Sequence, residues 1–134
     1  MATVRVLIDT NVLVSAVLFG GVPGIIVDAA RTGSVTGAVS LHILGEFRDV
    51  LTRPRFGVEQ GVADALAEEI ASFCDVLAVE RATRRWSADV DDDPVVEAAI
   101  VGNADVVVTG DAHLLALEVR GIRFTTPASV AARL

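Results

Sequence analysis

The sequence alternates short, continuous apolar runs with longer segments of helical periodicity, and this alternation restricts the fold more than any other feature. Short runs rich in β-branched residues are typical of strands that are buried on both faces. Strands are predicted over Val4–Ile8, Val35–Val39, Val76–Val79, Val106–Val108 and Ile122–Thr125. Helices are predicted over Val12–Phe19, Ile25–Thr32, Leu41–Thr52 and Val58–Phe73, from Pro94 to the Gly102-Asn103 pair, over Ala112–Val119, and from Pro127 onward.

This order of elements predicts an α/β fold with three layers, α/β/α. A central, mostly parallel sheet of four or five strands is expected, because parallel strands need helical crossovers that cover both sheet faces. The chain of 134 residues has no internal repeat or linker-like segment. Its length suits one domain with its own core, so residues 1–134 are interpreted as a single domain.

The charged residues argue against some classes of binding protein and enzyme. A formal net charge of −7 argues against a plain electrostatic nucleic-acid binder, which would show a basic face. It does not exclude a nuclease, because clustered acids at a metal site raise the negative count. All basic residues are arginines, and the absence of lysine excludes mechanisms that need a Schiff-base or phosphate-binding lysine.

Nothing in the sequence predicts export or membrane insertion. The chain has no apolar run of the length that a membrane span needs, and its first residues lack the form of a signal peptide. Cys74 has no cysteine partner, so a reducing cytoplasm is the expected location. Cys74 and Trp86 are interpreted as packing residues, and His42 and His113 as residues on helix surfaces.

Two apolar runs end in a carboxylate. Asp9 follows Val4–Ile8, and Asp111 comes shortly after Val106–Val108 in "VVVTGDAHLL". In open parallel sheets, ligand sites lie beyond the carboxyl ends of the strands. The two acids are therefore predicted to share a site, since an unpaired charge at the edge of a core costs several kcal/mol.

Glu46 and Asp93 complete a candidate set of four acids with Asp9 and Asp111. Carboxylates held close together repel one another, and Mg²⁺ or Mn²⁺ with oxygen ligands relieves that repulsion. Each acid also has a structural interpretation. Asp93 before Pro94 suits an N-cap, Asp111 suits a cap for the next helix, Asp9 suits a turn, and Glu46 suits a solvated helix face.

Three segments resemble the PIN domain family, in its VapC-type, toxin-associated branch: "LIDTNVLVSAVLFGG", "LGEFRDVLTRPRF" and "DDDPVVEAAIVGNADVVVTGDAHLLAL". Together they cover nearly the whole chain in order. The resemblance assigns the catalytic and metal-binding acids to Asp9, Glu46, Asp93 and Asp111. Asp93 is chosen over Asp91 and Asp92 by its spacing from Asp111. The resemblance also suggests groups that support the ligands: Thr10, Asn11, Asp92, Glu97 and Thr109. Glu97 is a potential ligand as well. Three arginines are interpreted either as RNA contacts or as an ordinary polar face: Arg48, Arg53 and Arg55.

The resemblance implies a metal-dependent endoribonuclease that leaves a 3′-hydroxyl and a 5′-phosphate, often as a homodimer. It further implies the toxin component of a toxin–antitoxin system, with a small antitoxin partner. Two other phosphate-handling classes fit less well, because Asn11 stands where a dehalogenase-type phosphatase needs its second aspartate and a receiver domain needs a lysine. The alternative left open is a non-catalytic PIN-like module that binds RNA or protein.

Overall fold

The computed structural model describes residues 3–134, which form five strands and seven helices. The strands are β1 (Arg5–Ile8), β2 (Thr36–Ser40), β3 (Asp75–Leu77), β4 (Val106–Val108) and β5 (Arg123–Thr125). The helices are α1 (Thr10–Phe19), α2 (Gly21–Thr32), α3 (Leu41–Thr52), α4 (Gln60–Phe73), α5 (Asp93–Val101), α6 (Ala112–Leu115) and α7 (Pro127–Ala131).

The strands form one parallel sheet in the order β3-β2-β1-β4-β5. The connections from β1 to β2 and from β2 to β3 run in one direction, and those from β3 to β4 and from β4 to β5 run in the other. Right-handed crossovers therefore place helices on opposite faces of the sheet. The predicted three-layer α/β/α fold with a parallel sheet is confirmed.

The direction of the connections reverses between β1 and β4, which pair directly with Ile8 opposite Val108. The backbone amide of Asp9 extends this pairing by donating to the carbonyl of Val108 at 3.1 Å. In sheets of this type a crevice opens beyond the strand ends at the reversal point. The fold thus brings the segments that follow β1 and β4 to one place.

The core lies along the two central strands. The side chains of Val6, Leu7 and Ile8 on β1, and of Val107 and Val108 on β4, are fully buried. Burial on both faces explains why these runs are apolar without alternation. This rigid centre supports the residues that come directly after it.

Some elements begin or end at other residues than predicted. Helix α2 begins at Gly21 rather than Ile25, because the helical path is broken at Gly20 and Gly21, with φ of 69° and 57°, and not at Pro23 or Gly24. Pro23 fits in the first turn, where its missing N–H would have no helical partner. Helix α6 ends at Leu115 instead of Val119, since the chain then turns into the Val119–Ile122 bridge that precedes β5.

Within residues 3–134, no single helix is long and apolar enough to cross a membrane. Only together do helices α1 and α2 have the length and apolar composition of a span, and they are bent by 103° relative to each other.

Candidate metal centre

One threonine hydroxyl joins the segments that follow β1 and β4. Thr109 is fully buried, and its Oγ1 donates to Asp9 Oδ2 at 2.7 Å. The same oxygen accepts a hydrogen bond from the backbone amide of Asp111 at 3.0 Å. Thr109 therefore fixes the positions of both acids relative to the sheet.

The carboxylate of Asp9 is held rigidly and is 5% exposed as a residue. Its Oδ1 accepts from the Thr10 amide at 2.8 Å, so Asp9 also caps α1. Burial raises the pKa of the Asp9 carboxyl above its ordinary value. The hydrogen bonds from Thr109 and Thr10 lower this pKa in part, whereas the charges of Glu46 and Asp111 raise it further. Asp9 thus lies within electrostatic range of both predicted partners.

Asp111 has the capping role that the sequence also suggested. Its Oδ1 accepts from the His113 amide at 2.8 Å, and the side chain remains about one-third exposed. Capping engages one carboxylate oxygen of Asp111, so within the described residues the other oxygen remains free to bind a cation. The structural and the metal-binding interpretations of Asp111 are therefore compatible.

Asp92 is the member of the acidic triplet that faces these acids. It is 6% exposed, and its buried Oδ2 has no hydrogen-bond partner within the described residues. Burial raises the pKa of the Asp92 carboxyl to about 6, and the charges of Asp111, Asp89 and Asp9 act in the same direction. A buried, unpartnered carboxylate oxygen beside other acids is the environment that a cation would stabilise.

The structure directs Asp93 away from this group. Helix α5 begins at Asp93, so Asp92 takes the N-cap position that was predicted for Asp93, and Pro94 is the second helical residue. The Asp93 carboxylate accepts from the amides of Trp86 and Ser87 at 2.8 Å each, from Ser87 Oγ at 3.1 Å and from Arg85 Nε at 2.8 Å. Burial raises the pKa of Asp93, but these hydrogen bonds outweigh it and leave the pKa below its ordinary value.

Glu97 has a similar role one turn further along α5. Its carboxylate accepts from the Thr83 amide and hydroxyl at 2.7–3.0 Å, and from Trp86 Nε1 at 3.4 Å. The hydrogen bonds from Thr83 lower the pKa of Glu97 below its ordinary value. Glu97 therefore holds the segment before α5, rather than joining the group around Asp9.

The remaining predicted residues differ in their exposure and in their partners. Glu46 is exposed on α3, and its negative charge raises the pKa of Asp9. Asn11 is exposed, whereas Thr10 is buried with Oγ1 lacking a partner among residues 3–134. The three arginines on and after α3 are engaged locally: Arg48 lies 3.9 Å from Asp64, Arg53 pairs with Asp49 at 3.0 Å, and Arg55 lies over the Phe56 ring.

The donor set suits a hard divalent cation. Asp9, Asp92, Asp111 and Glu46 would supply carboxylate oxygens, and in residues 3–134 none of them forms an ion pair with an arginine. Among the same residues, three potential ligand atoms lie within 4.8 Å of one another only at Asp89, Asp92 and His113, so the four acids are not gathered to that distance. Within residues 3–134, two buried side-chain oxygens have no hydrogen-bond partner: Oδ2 of Asp92 and Oγ1 of Thr10. Oxygen ligands, like charges and unsatisfied acceptors together fit Mg²⁺ or Mn²⁺.

Two residues near the centre were not predicted as part of it. Asp89 and His113 each bring a potential ligand atom close to Asp92. His113 was interpreted as a surface residue and is indeed 76% exposed in its side chain. The spacings Asp89–Asp92 and Asp111–His113 are the only sequence signals for their proximity. Cys74 and Trp86 pack against the core as predicted, and burial raises the pKa of the Cys74 thiol to about 12.

Comparisons with known proteins agree with this fold. A family model described as the PIN domain matches residues 5–113. A chain of VapBC2 from Rickettsia felis, solved with a DNA fragment from their promoter, aligns with a TM-score of 0.63 at 14% identity, over 91% of this chain and 98% of that chain. VapC20 from Mycobacterium tuberculosis, a sarcin-ricin loop cleaving toxin, aligns with a TM-score of 0.52 at 16% identity, over 76% and 86%. PAE2754 from Pyrobaculum aerophilum aligns with a TM-score of 0.53 at 18% identity, over 97% and 88%. A comparison with curated protein sequences found no significant match.

Proposed function

The chain belongs to the PIN domain family, and we propose that it is an endoribonuclease that uses Mg²⁺ or Mn²⁺ to hydrolyse RNA phosphodiester bonds. The observation that carries this proposal is the group of acids at the β1–β4 reversal, joined by Thr109 and containing the unpartnered Asp92 Oδ2. We assign the cation to Asp9, Asp92 and Asp111, with Glu46 closing the open side. Asp92 replaces Asp93 in this assignment, because the Asp93 carboxylate is already satisfied by the segment before α5.

The protein's own residues would prepare the site for chemistry on a phosphate. Thr109 and the Thr10 amide hold the Asp9 carboxylate in one orientation, so that it need not reorganise when substrate arrives. Thr109 also fixes Asp111, two residues further along the segment that follows β4. A cation bound by these acids would lower the pKa of an attacking water and offset the phosphate charge. The exposed Glu46 borders the open side, where RNA would enter.

The test compares RNA cleavage by the wild-type protein and by Asp9→Asn, with total RNA as substrate in Mg²⁺, in Mn²⁺ and in chelator. We expect cleavage only with a divalent cation, and a loss of more than about 100-fold in Asp9→Asn, because even residues that support metal ligands typically contribute 10–100-fold. Asp91→Asn is the matched control. It removes the same charge from an exposed residue whose side chain lies outside the group.

Equal cleavage by Asp9→Asn and wild type would contradict the metal-centred mechanism. RNA binding in chelator without cleavage under any metal condition would instead support the alternative, a non-catalytic PIN-like module. Cleavage that persists in chelator would also overturn the proposal. Circular dichroism on each variant would establish that the fold is retained.

We propose that RNA approaches along α3. Arg48, Arg53 and Arg55 lie on this helix or directly after it, and α3 also carries Glu46. Their charges are partly exposed, and their present partners are surface acids or an aromatic ring. Surface ion pairs are weak, so phosphate groups can replace these acids at little cost. Replacing the three arginines with glutamine should raise KM more than it lowers kcat, and should reduce the salt dependence of RNA binding.

We further propose that the chain is the toxin component of a toxin–antitoxin pair, as its fold likeness to VapC proteins suggests. The acidic centre and the net charge of −7 suit a small antitoxin that inserts a basic side chain between Asp9 and Asp111. Such a pair would act on cytoplasmic RNA. The test co-expresses the neighbouring reading frame. An inactive complex that regains cleavage when the partner's basic residue is replaced would support this proposal, and a complex with full activity would contradict it.

A homodimer is the proposed assembly. Phe19, Val22 and Ile25 are exposed apolar side chains at the junction of α1 and α2, and Phe19 is 75% exposed. Apolar side chains grouped on a surface are typical of interaction sites. Sedimentation of the wild type and of Phe19→Ser would test this, since a monomeric wild type contradicts it.

A further inference from the structure

His113 lies beside the proposed metal centre without a hydrogen-bonding role for its ring. The ring nitrogen Nδ1 is 3.8 Å from Asp89 Oδ2 and 4.0 Å from Asp111 Oδ1. Both distances are too long for hydrogen bonds. Within residues 3–134, only the backbone amide of His113 is engaged, through the cap of α6. The ring therefore presents a nitrogen donor that is not used by the fold.

Asp89 is oriented toward the same point by a tight turn. Its Oδ1 accepts from the Asp91 amide at 2.9 Å, and its carbonyl accepts from the Asp92 amide at 3.1 Å. These bonds leave Oδ2 directed to His113. The turn and the start of α5 thus bring the side chains of Asp89 and Asp92 to one side of the chain.

Asp89, Asp92 and His113 form a three-donor cluster whose ligand atoms lie within 4.8 Å of one another. A six-coordinate ion with bonds of about 2.1 Å holds its ligands roughly 3.0–4.2 Å apart, so the Asp89–His113 distance already suits a shared ion. The buried Asp92 Oδ2, which has no partner among the described residues, is a sign of a missing ligand beside the spacing of the cluster, and it is the oxygen that both proposed positions share. The cluster also lines a cavity of about 530 Å³.

We propose that Asp89, Asp92 and His113 form a second divalent-cation position, which favours first-row transition ions over Mg²⁺. Imidazole nitrogen suits Mn²⁺, Co²⁺ and Zn²⁺ better than Mg²⁺, whose preferred ligands are oxygens. Two carboxylates and a neutral imidazole balance the charge of the ion. Asp92 belongs to both positions, so any role of this second ion in cleavage rests on the proposed function, whereas its binding does not.

The first experiment follows the two histidines of the chain by NMR of their ring nitrogens during titration with Zn²⁺, which is diamagnetic. We expect the Nδ1 resonance of His113 to shift at low metal, and His42, which lies on α3, to remain unchanged. Mg²⁺ should not shift either ring. An unchanged His113 resonance, or equal shifts at both histidines, would overturn the proposal. No RNA is present, so the result is independent of cleavage.

The second experiment measures Mn²⁺ binding by calorimetry in the wild type, His113→Gln, Asp89→Asn and the charge-matched control Asp91→Asn. We expect the wild type to bind two ions, and both cluster variants to bind one ion normally and the other at least about tenfold more weakly. Asp91→Asn should bind as wild type does. His113 is mostly exposed, so its replacement should leave the fold intact. Unaltered binding in both cluster variants would contradict the second position, while the cation site at Asp9 would be unaffected.

Discussion

At the residue scale, Asp92 and Asp93 show how strongly its surroundings change the pKa of an aspartate. The two carboxyls are adjacent in the chain, yet the pKa of Asp92 is raised to about 6 and that of Asp93 lies below its ordinary value. Asp92 is buried among other acids, while Asp93 receives hydrogen bonds from Arg85, Trp86 and Ser87. Hydrogen bonds to a carboxylate favour its charged form, and burial without them disfavours it.

We therefore expect opposite effects from the two neutral substitutions. Asp92→Asn should raise the melting temperature of the metal-free protein, because it removes a buried charge whose Oδ2 has no partner within residues 3–134. It should lower RNA cleavage more than about 100-fold, as expected for a metal ligand. Asp93→Asn should lower the melting temperature, because the Arg85 side chain and the amides of Trp86 and Ser87 lose a charged acceptor. Thermal melts in chelator and cleavage assays in Mn²⁺ provide the measurements.

The reverse outcome would restore the assignment made from the sequence. If folded Asp93→Asn were inactive and Asp92→Asn cleaved at the wild-type rate, the ligand would be Asp93. Asp91→Asn serves as the control in both assays, because it makes the same change at an exposed neighbouring residue.

At the element scale, α5 organises the polar connection that precedes it. Asp93 and Glu97 lie one turn apart on this helix, and both are buried. Asp93 binds the backbone at Trp86 and Ser87, and Glu97 binds Thr83. The connection has no regular secondary structure of its own, so these carboxylates replace the hydrogen bonds that a helix or strand would supply. Their placement also fixes the turn that carries Asp89.

The Glu97 contacts predict acid sensitivity. The pKa of Glu97 is below its ordinary value in the folded state, so the carboxylate stabilises the fold above that value. This contribution is lost as the pH falls from about 4.5 through the folded-state pKa. Urea unfolding from neutral pH down to about pH 3 should show wild type more stable than Glu97→Gln, with a difference that shrinks only at the acidic end.

Glu68→Gln is the control for this prediction, because Glu68 is an exposed acid on α4. Its unfolding curves should follow those of the wild type. A Glu97→Gln difference that stays constant to about pH 3 would show that the stabilisation does not depend on the carboxylate charge.

At the scale of the whole molecule, the fold brings like charges together, and within residues 3–134 no arginine forms an ion pair with Asp9, Asp92 or Asp111. Acids from the ends of β1 and β4 and from the starts of α5 and α6 meet at the reversal of the sheet. In a protein of net charge −7 this arrangement lowers the stability of the metal-free state, because the repulsion is present only when the chain is folded. Any cation bound there should stabilise the whole domain.

Cation binding should therefore raise the melting temperature. At 100 times its dissociation constant, a ligand specific for the folded state adds about 2.7 kcal/mol, which in a domain of this size corresponds to roughly 10 °C. Differential scanning calorimetry in Mn²⁺ and in chelator provides the measurement. Asp9→Asn should show a much smaller increase than the wild type. Melting curves that coincide in Mn²⁺ and chelator would contradict a metal centre of any composition.

The sequence by itself determined the fold class and predicted the place of the site. Short apolar runs that alternate with helices are typical of a covered parallel sheet. Asp9 follows one of these runs directly, and Asp111 follows another after Thr109 and Gly110. The chain cannot rotate far in the one to three residues between a strand end and its acid, so local sequence sufficed to place them. The boundaries of α2 and α6 were less well predicted, because turns and tertiary contacts decide where a helix ends.

Only the tertiary structure distinguished the surroundings of the neighbouring acids Asp92 and Asp93, on which the proposed ligand set depends. Adjacent helical residues point about 100° apart, so the start of α5 at Asp93 gives Asp92 and Asp93 different surroundings, and we propose Asp92 rather than Asp93 as the ligand. The position of His113 beside Asp89 depends on how α6 and the turn before α5 pack across the sheet edge. Such contacts join residues far apart in the chain, and no local pattern encodes their direction.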